Sequence, residues 1–241
     1  MSRSTALLLA LIACVSPALG GLVGCATPSL VGAGESHRRL VNPGEGGVDE
    51  ETMAFDGGAQ VGLLVSDGEV DMALVAGRAQ LRTPIDRDTE FRFGVVGQGS
   101  TDGTVVAGSL QAGGKFWLSE KVALNFDGVF GYWHYGEFDG NSHSTADDIA
   151  DEDNSTVGAG LALGVLWVAV VERMVEPYFS LRLGAWTPVF GLSLDGSMGM
   201  NVYLSEQVSL GLELGILEYV MLGWLPTLPA FHGGLGVGVR F

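Results

Sequence analysis

The residues with the clearest chemical potential form an acidic cluster between Glu137 and Asn154. The carboxylates of this stretch are Glu137, Asp139, Asp147, Asp148, Asp151, Glu152 and Asp153. Oxygen ligands at this density suit hard cations such as Ca²⁺ or Mg²⁺. However, the run Asp-Asp-Ile-Ala-Asp-Glu-Asp-Asn has neither the ligand spacing of an EF-hand loop nor its glycine. We therefore predict a solvated external loop and no metal site.

A second set of reactive residue types lies in the same stretch. His143, Ser144 and Asp147 are the types that a nucleophilic triad uses. Nothing in the local sequence fixes their geometry, so we predict no catalysis here. The set is nevertheless similar to the His, Ser and acidic groups that some small lipid-modifying barrel enzymes carry at the membrane rim. That resemblance keeps a lipid-modifying outer-membrane enzyme as one alternative function.

The composition excludes several classes of partner. The chain has 28 acidic and 12 basic residues, which gives a formal net charge of −16. Phosphate binding needs clustered Lys and Arg, so we predict no nucleic-acid partner. The mean hydropathy is positive at +0.32, yet the 38 glycines interrupt every apolar stretch past residue 34 that could form a clean helical membrane span. This combination is unusual for a water-soluble globular protein.

The N-terminal residues have the pattern of an export signal. Arg3 precedes the apolar run TALLLALIA, and the next charged residue is Glu35. A short positive region before such a run is typical of a secretory signal peptide. Because Cys14 and Cys25 both lie in this segment, the rest of the chain has no disulfide pair. Its stability must come from backbone pairing and burial.

The end of this segment resembles a lipoprotein signal. The sequence LVGC at residues 22–25 is similar to the lipobox of bacterial lipoproteins, in which the cysteine is lipidated. The resemblance implies a signal peptide over residues 1–24 and lipid attachment at Cys25. Ordinary cleavage near residues 18–20 and retention of the segment as an anchor helix are the alternatives. Residues 25–56 show little periodicity and are predicted to form a flexible periplasmic tether.

From Gly57 to Phe241 the dominant pattern is alternation. Residues 207–216 set Val208, Leu210, Leu212, Leu214 and Ile216 against Ser209, Gly211, Glu213 and Gly215. This period of two predicts β-strands. The strands are about as long as tilted strands must be to cross a bilayer. An open sheet edge would leave backbone groups unpaired in lipid, so the sheet must close.

The turns predict the order of the strands. Leu118–Lys121 and Leu204–Gln207 are near-identical tight turns that fit the periplasmic side, whereas longer polar connections fit the external side. We predict an all-β, closed antiparallel transmembrane β-barrel over 57–241, with up-and-down topology and about ten strands; eight is the alternative. The predicted strands are 57–66, 69–82, 89–98, 104–118, 121–136, 155–171, 176–190, 193–204, 207–222 and 230–241.

The C-terminus resembles the signal of bacterial outer-membrane β-barrels. Phe241 is the last residue, and the apolar residues Val239, Val237 and Leu235 alternate back from it. The resemblance implies recognition by the barrel-assembly machinery. It extends loosely over the whole barrel segment, without motifs that select a subfamily.

Alternation assigns the charged side chains of the strands to the lumen. The residues opposite the apolar faces are Arg78, Arg82, Arg92, Lys115, Asp127, Arg182, Asp195, Glu213 and Arg240. Side chains fill or nearly fill the interior of a barrel of eight to ten strands, so we predict a packed ionic plug. A narrow path for small solutes is the alternative.

These features predict a monomeric bacterial outer-membrane protein surrounded by outer-membrane lipid. We expect a structural or surface-interaction role through external loops, with residues 137–154 facing an extracellular ligand, and no cofactor. A narrow pore is the first alternative. The rival folds are a helical membrane protein, because the stretch Asn154–Val171 is uncharged, and a soluble β-sandwich or lipocalin-like barrel.

Overall fold

The computed structural model describes residues 39–43, 49–66, 69–101, 105–135, 154–169, 174–187, 191–221 and 228–241. Within these ranges, no helix is long and apolar enough to cross a membrane. The predicted signal peptide, Cys25 and nearly all of the acidic loop lie outside the described residues.

The described chain consists almost entirely of β-strands. Two short strands, β1 (Val41–Pro43) and β2 (Asp49–Glu51), pair with each other. The longer strands are β3 (Ala54–Ser66), β4 (Glu69–Pro84), β5 (Thr89–Ser100), β6 (Val105–Trp117), β7 (Val122–Tyr135), β8 (Asn154–Val168), β9 (Val175–Thr187), β10 (Gly191–Tyr203), β11 (Val208–Met221) and β12 (Leu228–Arg240).

The ten long strands form one closed antiparallel barrel. Each strand pairs with its neighbours in the sequence, and β12 pairs with β3 to complete the circle. The predicted fold class and strand number are therefore confirmed. The eight-strand alternative is wrong because residues 57–66 and 69–82 lie in two separate strands that pair along their length. Of the stretch that suggested a membrane helix, Asn154–Val168 form strand β8.

The strand boundaries agree with the predicted ones to within three residues at each end. The barrel begins at Ala54 rather than at residue 57, because Ala54 and Phe55 continue the alternation and pair with β4. Strand β9 comprises Val175–Thr187, and the last three residues of its predicted range lie outside the described residues.

The register staggers the strands around the barrel. Starting at Pro84 of β4 and stepping from each residue to its pairing partner on the next strand, one returns to β4 at Met72. The barrel closes with a stagger of 12 residues between Pro84 and Met72. Such a stagger requires the strands to tilt by roughly 40° from the barrel axis. As a result, side chains of strands that are distant in the sequence lie at the same depth inside the barrel.

The two ends of the barrel differ in their connections. We call the end that contains Ala54, Arg240 and the turns 85–88, 118–121 and 204–207 the short-turn end. We call the other end the long-loop end, because it is where Tyr135 ends β7 and Asn154 begins β8, on either side of the longest stretch between two strands. In the first of the short turns, the N–H of Asp88 donates to the carboxylate of Asp86 and thereby lowers the pKa of Asp86.

Two of the short turns are built in the same way. In one, the N–H of Leu204 donates to the carbonyl of Val208 at 2.9 Å, and Ser205 Oγ accepts the N–H groups of Gln207 and Val208 at 3.2 and 3.1 Å. Ser119 has the same role in the other turn. The repeated Leu-Ser-Glu sequence therefore encodes a repeated structure.

We expect Ser205→Ala to lower the free energy of unfolding by about 1 kcal/mol, because it removes an acceptor shared by two backbone N–H groups. Urea titration of the barrel in detergent micelles measures the change. Glu206→Ala, at an exposed position of the same turn, is the control and should shift the value by less than about 0.5 kcal/mol. Equal effects of the two substitutions would contradict the role of the Ser205 hydroxyl.

Candidate functional site

The inward faces of the strands contain a balanced set of charges. Among the described side chains, six cationic and six anionic groups point into the lumen. The cations are Arg78, Arg82, Arg92, Lys115, Arg182 and Arg240, and the anions are Asp56, Glu90, Asp127, Glu176, Asp195 and Glu213. Ten of these residues are at least nine-tenths buried. All charged residues predicted for the lumen are in this set.

Three of the lumen acids were not predicted from the sequence. Asp56 was missed because the predicted barrel began one residue after it. Glu90 and Glu176 each lie two residues before another inward residue of the same strand. Extending the alternation to the strand ends would have found both.

One cluster lies at the short-turn end and is organised by Arg82. Its guanidinium donates from Nε to Asp56 at 2.6 Å and from Nη1 to Glu90 at 2.9 Å. The other oxygen of Glu90 accepts the indole N–H of Trp117 at 2.9 Å. We call these four residues the Arg82 cluster. Buried charges are tolerated only when paired and hydrogen-bonded, and these contacts meet that condition for both carboxylates.

A salt bridge joins two strands that are not adjacent in the barrel. Arg92 of β5 binds Asp127 of β7 through two parallel contacts, one of them from Nε at 2.6 Å and the other from Nη2. Strand β6 lies between them, and its residue in register with both is Gly113. A Cβ atom at Gly113 would collide with the Asp127 carboxylate. The salt bridge therefore requires glycine at this position.

The same arrangement recurs on the opposite wall, where Glu213 of β11 accepts two hydrogen bonds. Tyr178 donates its hydroxyl at 2.7 Å across Gly199, which is in register with both residues. Gln60 donates its amide at 3.1 Å across Gly234, which again pairs with both. Strands are about 4.8 Å apart, so a side chain reaches the second strand along only when the strand between carries no side chain there.

His232 uses a third glycine in a related way. Its imidazole lies against Gly215 of the neighbouring strand, where a Cβ atom would collide with the ring. This position brings His232 Nε2 to 3.1 Å from Asp195 Oδ1 on β10. Asp195 is also 3.8 Å from Arg182 Nε. We call Gln60, Tyr178, Arg182, Asp195, Glu213 and His232 the Glu213 cluster.

Apolar side chains pack inside the barrel beside these charges. A cluster of buried residues lies at the short-turn end on β6 to β9, formed by Trp117, Ala123, Leu166, Val168 and Tyr178. Glu176 at the same end accepts the hydroxyl of Tyr203 at 2.9 Å and the amide of Asn201 at 3.3 Å. This part of the inner wall therefore combines packed apolar side chains with a hydrogen-bonded carboxylate.

The remaining predicted site residues lie elsewhere. Leu235, Val237, Val239 and Phe241 are exposed along the outward face of the last strand, and the backbone of Phe241 pairs with Met53. Their recognition by the assembly machinery stays a prediction. In the part of the chain that the structure describes, no group of three His, Cys, Asp or Glu side chains could hold a metal ion.

Comparison with known proteins gives similarity at the level of the fold. No protein-family model matches the chain, and no curated protein matches it. Among solved structures, the chain is similar to the attachment invasion locus protein Ail of Yersinia pestis, with a TM-score of 0.34, 14% identity and coverage of 79% of this chain and 98% of Ail.

Two autotransporter domains give similar values. The β-domain of the Bordetella autotransporter BrkA matches with a TM-score of 0.46 and 12% identity, over 80% of this chain and 99% of that domain. The translocator domain of NalP from Neisseria meningitidis matches with a TM-score of 0.41 and 16% identity, over 79% of this chain and 88% of that one.

We expect Gly113→Ala to lower the free energy of unfolding by about 1–3 kcal/mol, because the added methyl group must displace the Arg92–Asp127 bridge or the strand backbone. The matched control is Gly97→Ala, on the outward face of β5, where a Cβ atom would meet nothing within 4 Å. It should be neutral or slightly stabilising. Urea titration followed by tryptophan fluorescence compares the two. Equal losses would mean that the glycine is not required by the bridge.

Proposed function

We propose that this protein is a bacterial outer-membrane barrel with a closed lumen and a structural or surface-interaction role exerted through its external connections. The observation that supports the membrane location is the reversal of the usual pattern of burial. Charged side chains are inside, whereas large apolar side chains are exposed on every strand of the barrel. Soluble proteins rarely expose contiguous apolar surface of this extent.

The apolar belt runs around the whole barrel. Each long strand contributes at least one member, and the ten examples that follow are between 46% and 66% exposed: Val61, Val75, Phe93, Leu110, Phe130, Leu163, Leu183, Met198, Leu212 and Leu235. The ring of strand pairs leaves no open edge, so every strand can lie in hydrocarbon without unpaired backbone groups. Outer-membrane lipid is the partner that fits this surface.

Two sequence patterns support the same location. The export-signal pattern and the LVGC motif at residues 22–25 favour lipid attachment at Cys25. From Cys25 to Arg39 the chain can span up to about 45 Å when extended. A lipid on Cys25 and the barrel can therefore share one membrane. The alternating residues before Phe241 favour recognition by the barrel-assembly machinery.

The pairing of the lumen charges supports a barrel that does not act as an open pore. The Arg82 cluster, the Arg92–Asp127 bridge and the apolar cluster at the short-turn end all place side chains inside the lumen. We therefore infer that the resting barrel does not conduct, and we propose that it acts as a monomer without a catalytic role. The external side is then the long-loop end, and it would carry the acidic residues 137–154 as the surface for an extracellular ligand.

We expect the full chain, expressed in a Gram-negative host, to appear in the outer-membrane fraction and to migrate differently on a gel with and without boiling. Leu163→Arg, near the middle of the belt, should destabilise the barrel by about 2–4 kcal/mol because it places a charge in hydrocarbon. Leu118→Arg, at an exposed position in a short turn, is the control and should have little effect. Recovery as a soluble periplasmic protein would contradict the proposed location.

The surface-interaction role is tested by removing residues 138–153. We expect this deletion to reduce binding of cells to host or bacterial surfaces while leaving the heat-dependent migration of the barrel unchanged. The matched variant keeps the loop length and replaces its carboxylates with amides, which separates the effect of charge from the effect of loop length. If surface binding persists in both variants while solute uptake changes, the narrow-pore alternative is favoured instead.

A further inference from the structure

Three polar side chains meet on the outward face of the barrel, at the long-loop end of β7 and β8. Tyr132 donates its hydroxyl to Ser155 Oγ at 2.7 Å, and His134 Nδ1 lies 3.0 Å from the same oxygen. His134 and Ser155 are register partners on the two strands. We call these three residues the rim trio. In a barrel that lies in a membrane, outward side chains near a strand end meet the head groups of lipid.

The hydrogen bonds of the rim trio leave one ring nitrogen of His134 for a ligand. Both bonds form together when Ser155 Oγ accepts the Tyr132 proton and donates its own proton to His134 Nδ1. In this arrangement the imidazole carries its proton on Nε2. That N–H can donate to an oxygen of a bound molecule, and a phosphate oxygen is the strongest acceptor that a lipid head group offers.

Beside the rim trio, the outward face has a row of positions without side chains. Stepping from Tyr132 to its register partners leads to Gly108 on β6, Gly97 on β5 and Gly77 on β4. A Cβ atom at Gly97 or Gly108 would meet nothing within 4 Å. The outer surface along this row is therefore bare backbone. We call the row of three glycines the outer groove.

Apolar side chains flank the outer groove on both sides. Those nearer the long-loop end are Val75 and Val106, with Gly99 between them, and those nearer the short-turn end are Val95, Leu110 and Phe130. Each of these five apolar side chains is between 47% and 58% exposed. The groove is therefore a depression within the apolar belt, and its sides suit hydrocarbon.

The outer groove runs obliquely from the rim trio into the apolar belt. Stepping from β4 through β5 and β6 to β7 moves toward the long-loop end, in the direction of the stagger from Pro84 to Met72. The groove therefore descends from Tyr132 toward Ala59 of β3, the register partner of Gly77. The four strand spacings from β7 to β3, at roughly 4.8 Å each, make this path about 19 Å long. That length suits an acyl chain of one leaflet, which fills about half of the ~30 Å hydrocarbon core.

We propose that the rim trio and the outer groove together bind one phosphorylated acyl lipid of the outer leaflet. An acyl chain lies in the groove and covers its bare backbone, and a phosphate oxygen accepts a hydrogen bond from His134 Nε2. A lipid is the occupant because the groove is continuous with the apolar belt, whereas the rim trio lies at the end nearer the head groups. This inference rests on the proposed membrane location and adds a specific lipid site to it.

The groove is tested by titrating the full chain in detergent micelles with lipid A, a phosphorylated acyl lipid, and counting bound lipid by native mass spectrometry. We expect one lipid A per barrel. Gly108→Val fills the groove beside Tyr132 and should weaken binding by about tenfold or more. Gly196→Val is the matched control, because Gly196 lies on the outward face of β10, across the barrel from β5, where a Cβ atom would meet Leu181 at 3.9 Å and nothing closer. It should bind lipid A as the unchanged chain does.

The head-group contact is tested with His134→Phe, which keeps a ring and removes the donor. We expect its affinity for lipid A to fall by about tenfold, and its affinity for lipid A without phosphates to match that of the unchanged chain. Heat-dependent migration checks that each variant is folded. Equal binding of the two lipid forms by the unchanged chain would overturn the phosphate contact.

Equal binding of lipid A by Gly108→Val and Gly196→Val would overturn the groove, and binding of many lipids that no variant alters would overturn a specific site. The lipid that copurifies with the chain from outer membranes identifies the source, and a glycerophospholipid in place of lipid A would overturn the outer-leaflet assignment. Failure of the chain to reach the outer membrane would count against the proposed location, whereas a folded outer-membrane barrel that binds no lipid A would overturn this inference alone.

Discussion

The structure depends on one constraint, which is that charges directed into a narrow lumen must find partners there. The lumen charges balance in number, but a balanced count is not sufficient, because each carboxylate needs a donor within hydrogen-bonding distance. Neighbouring strands supply some of these donors, as when Arg82 of β4 donates to Asp56 of β3 at 2.6 Å. Others come from the second strand along the sheet. A donor on the second strand must extend across the strand that lies between, so the residue of that strand at the crossing point must be small.

The requirement explains part of the high glycine content. Gly113, Gly199 and Gly215 lie beneath the side chains of Asp127, Tyr178 and His232 respectively, and a Cβ atom at any of them would collide with its neighbour. Without these glycines the lumen acids would lose donors, and unpaired buried charges would destabilise the barrel by several kcal/mol each. The apolar belt depends on the same pairing of lumen charges. Because side chains alternate along each strand, a strand can place apolar residues outward only if the residues between them are stable inside the lumen.

The sequence predicted which face of each strand points into the barrel, but it predicted few of the hydrogen-bond partners of the inward side chains. Alternation identified all ten strands and the inward direction of the charged residues, because a period of two is a local property. The bond between Gln60 and Glu213 joins residues 153 positions apart. Its existence depends on the closure of β12 against β3 and on the stagger of the barrel, neither of which is written in a local pattern. The fixed position of Arg39 was missed for the same reason, since its contacts with Asp88 and Arg240 follow no local periodicity.

Glycine at other positions follows a different rule. Gly97 and Gly108 pair with each other on the outward face, where a Cβ atom would meet nothing within 4 Å. No contact inside the protein requires glycine there, whereas contacts at Gly113 and Gly199 do. Glycine on the inward face therefore lets a long side chain cross a strand, whereas glycine on the outward face has no such role.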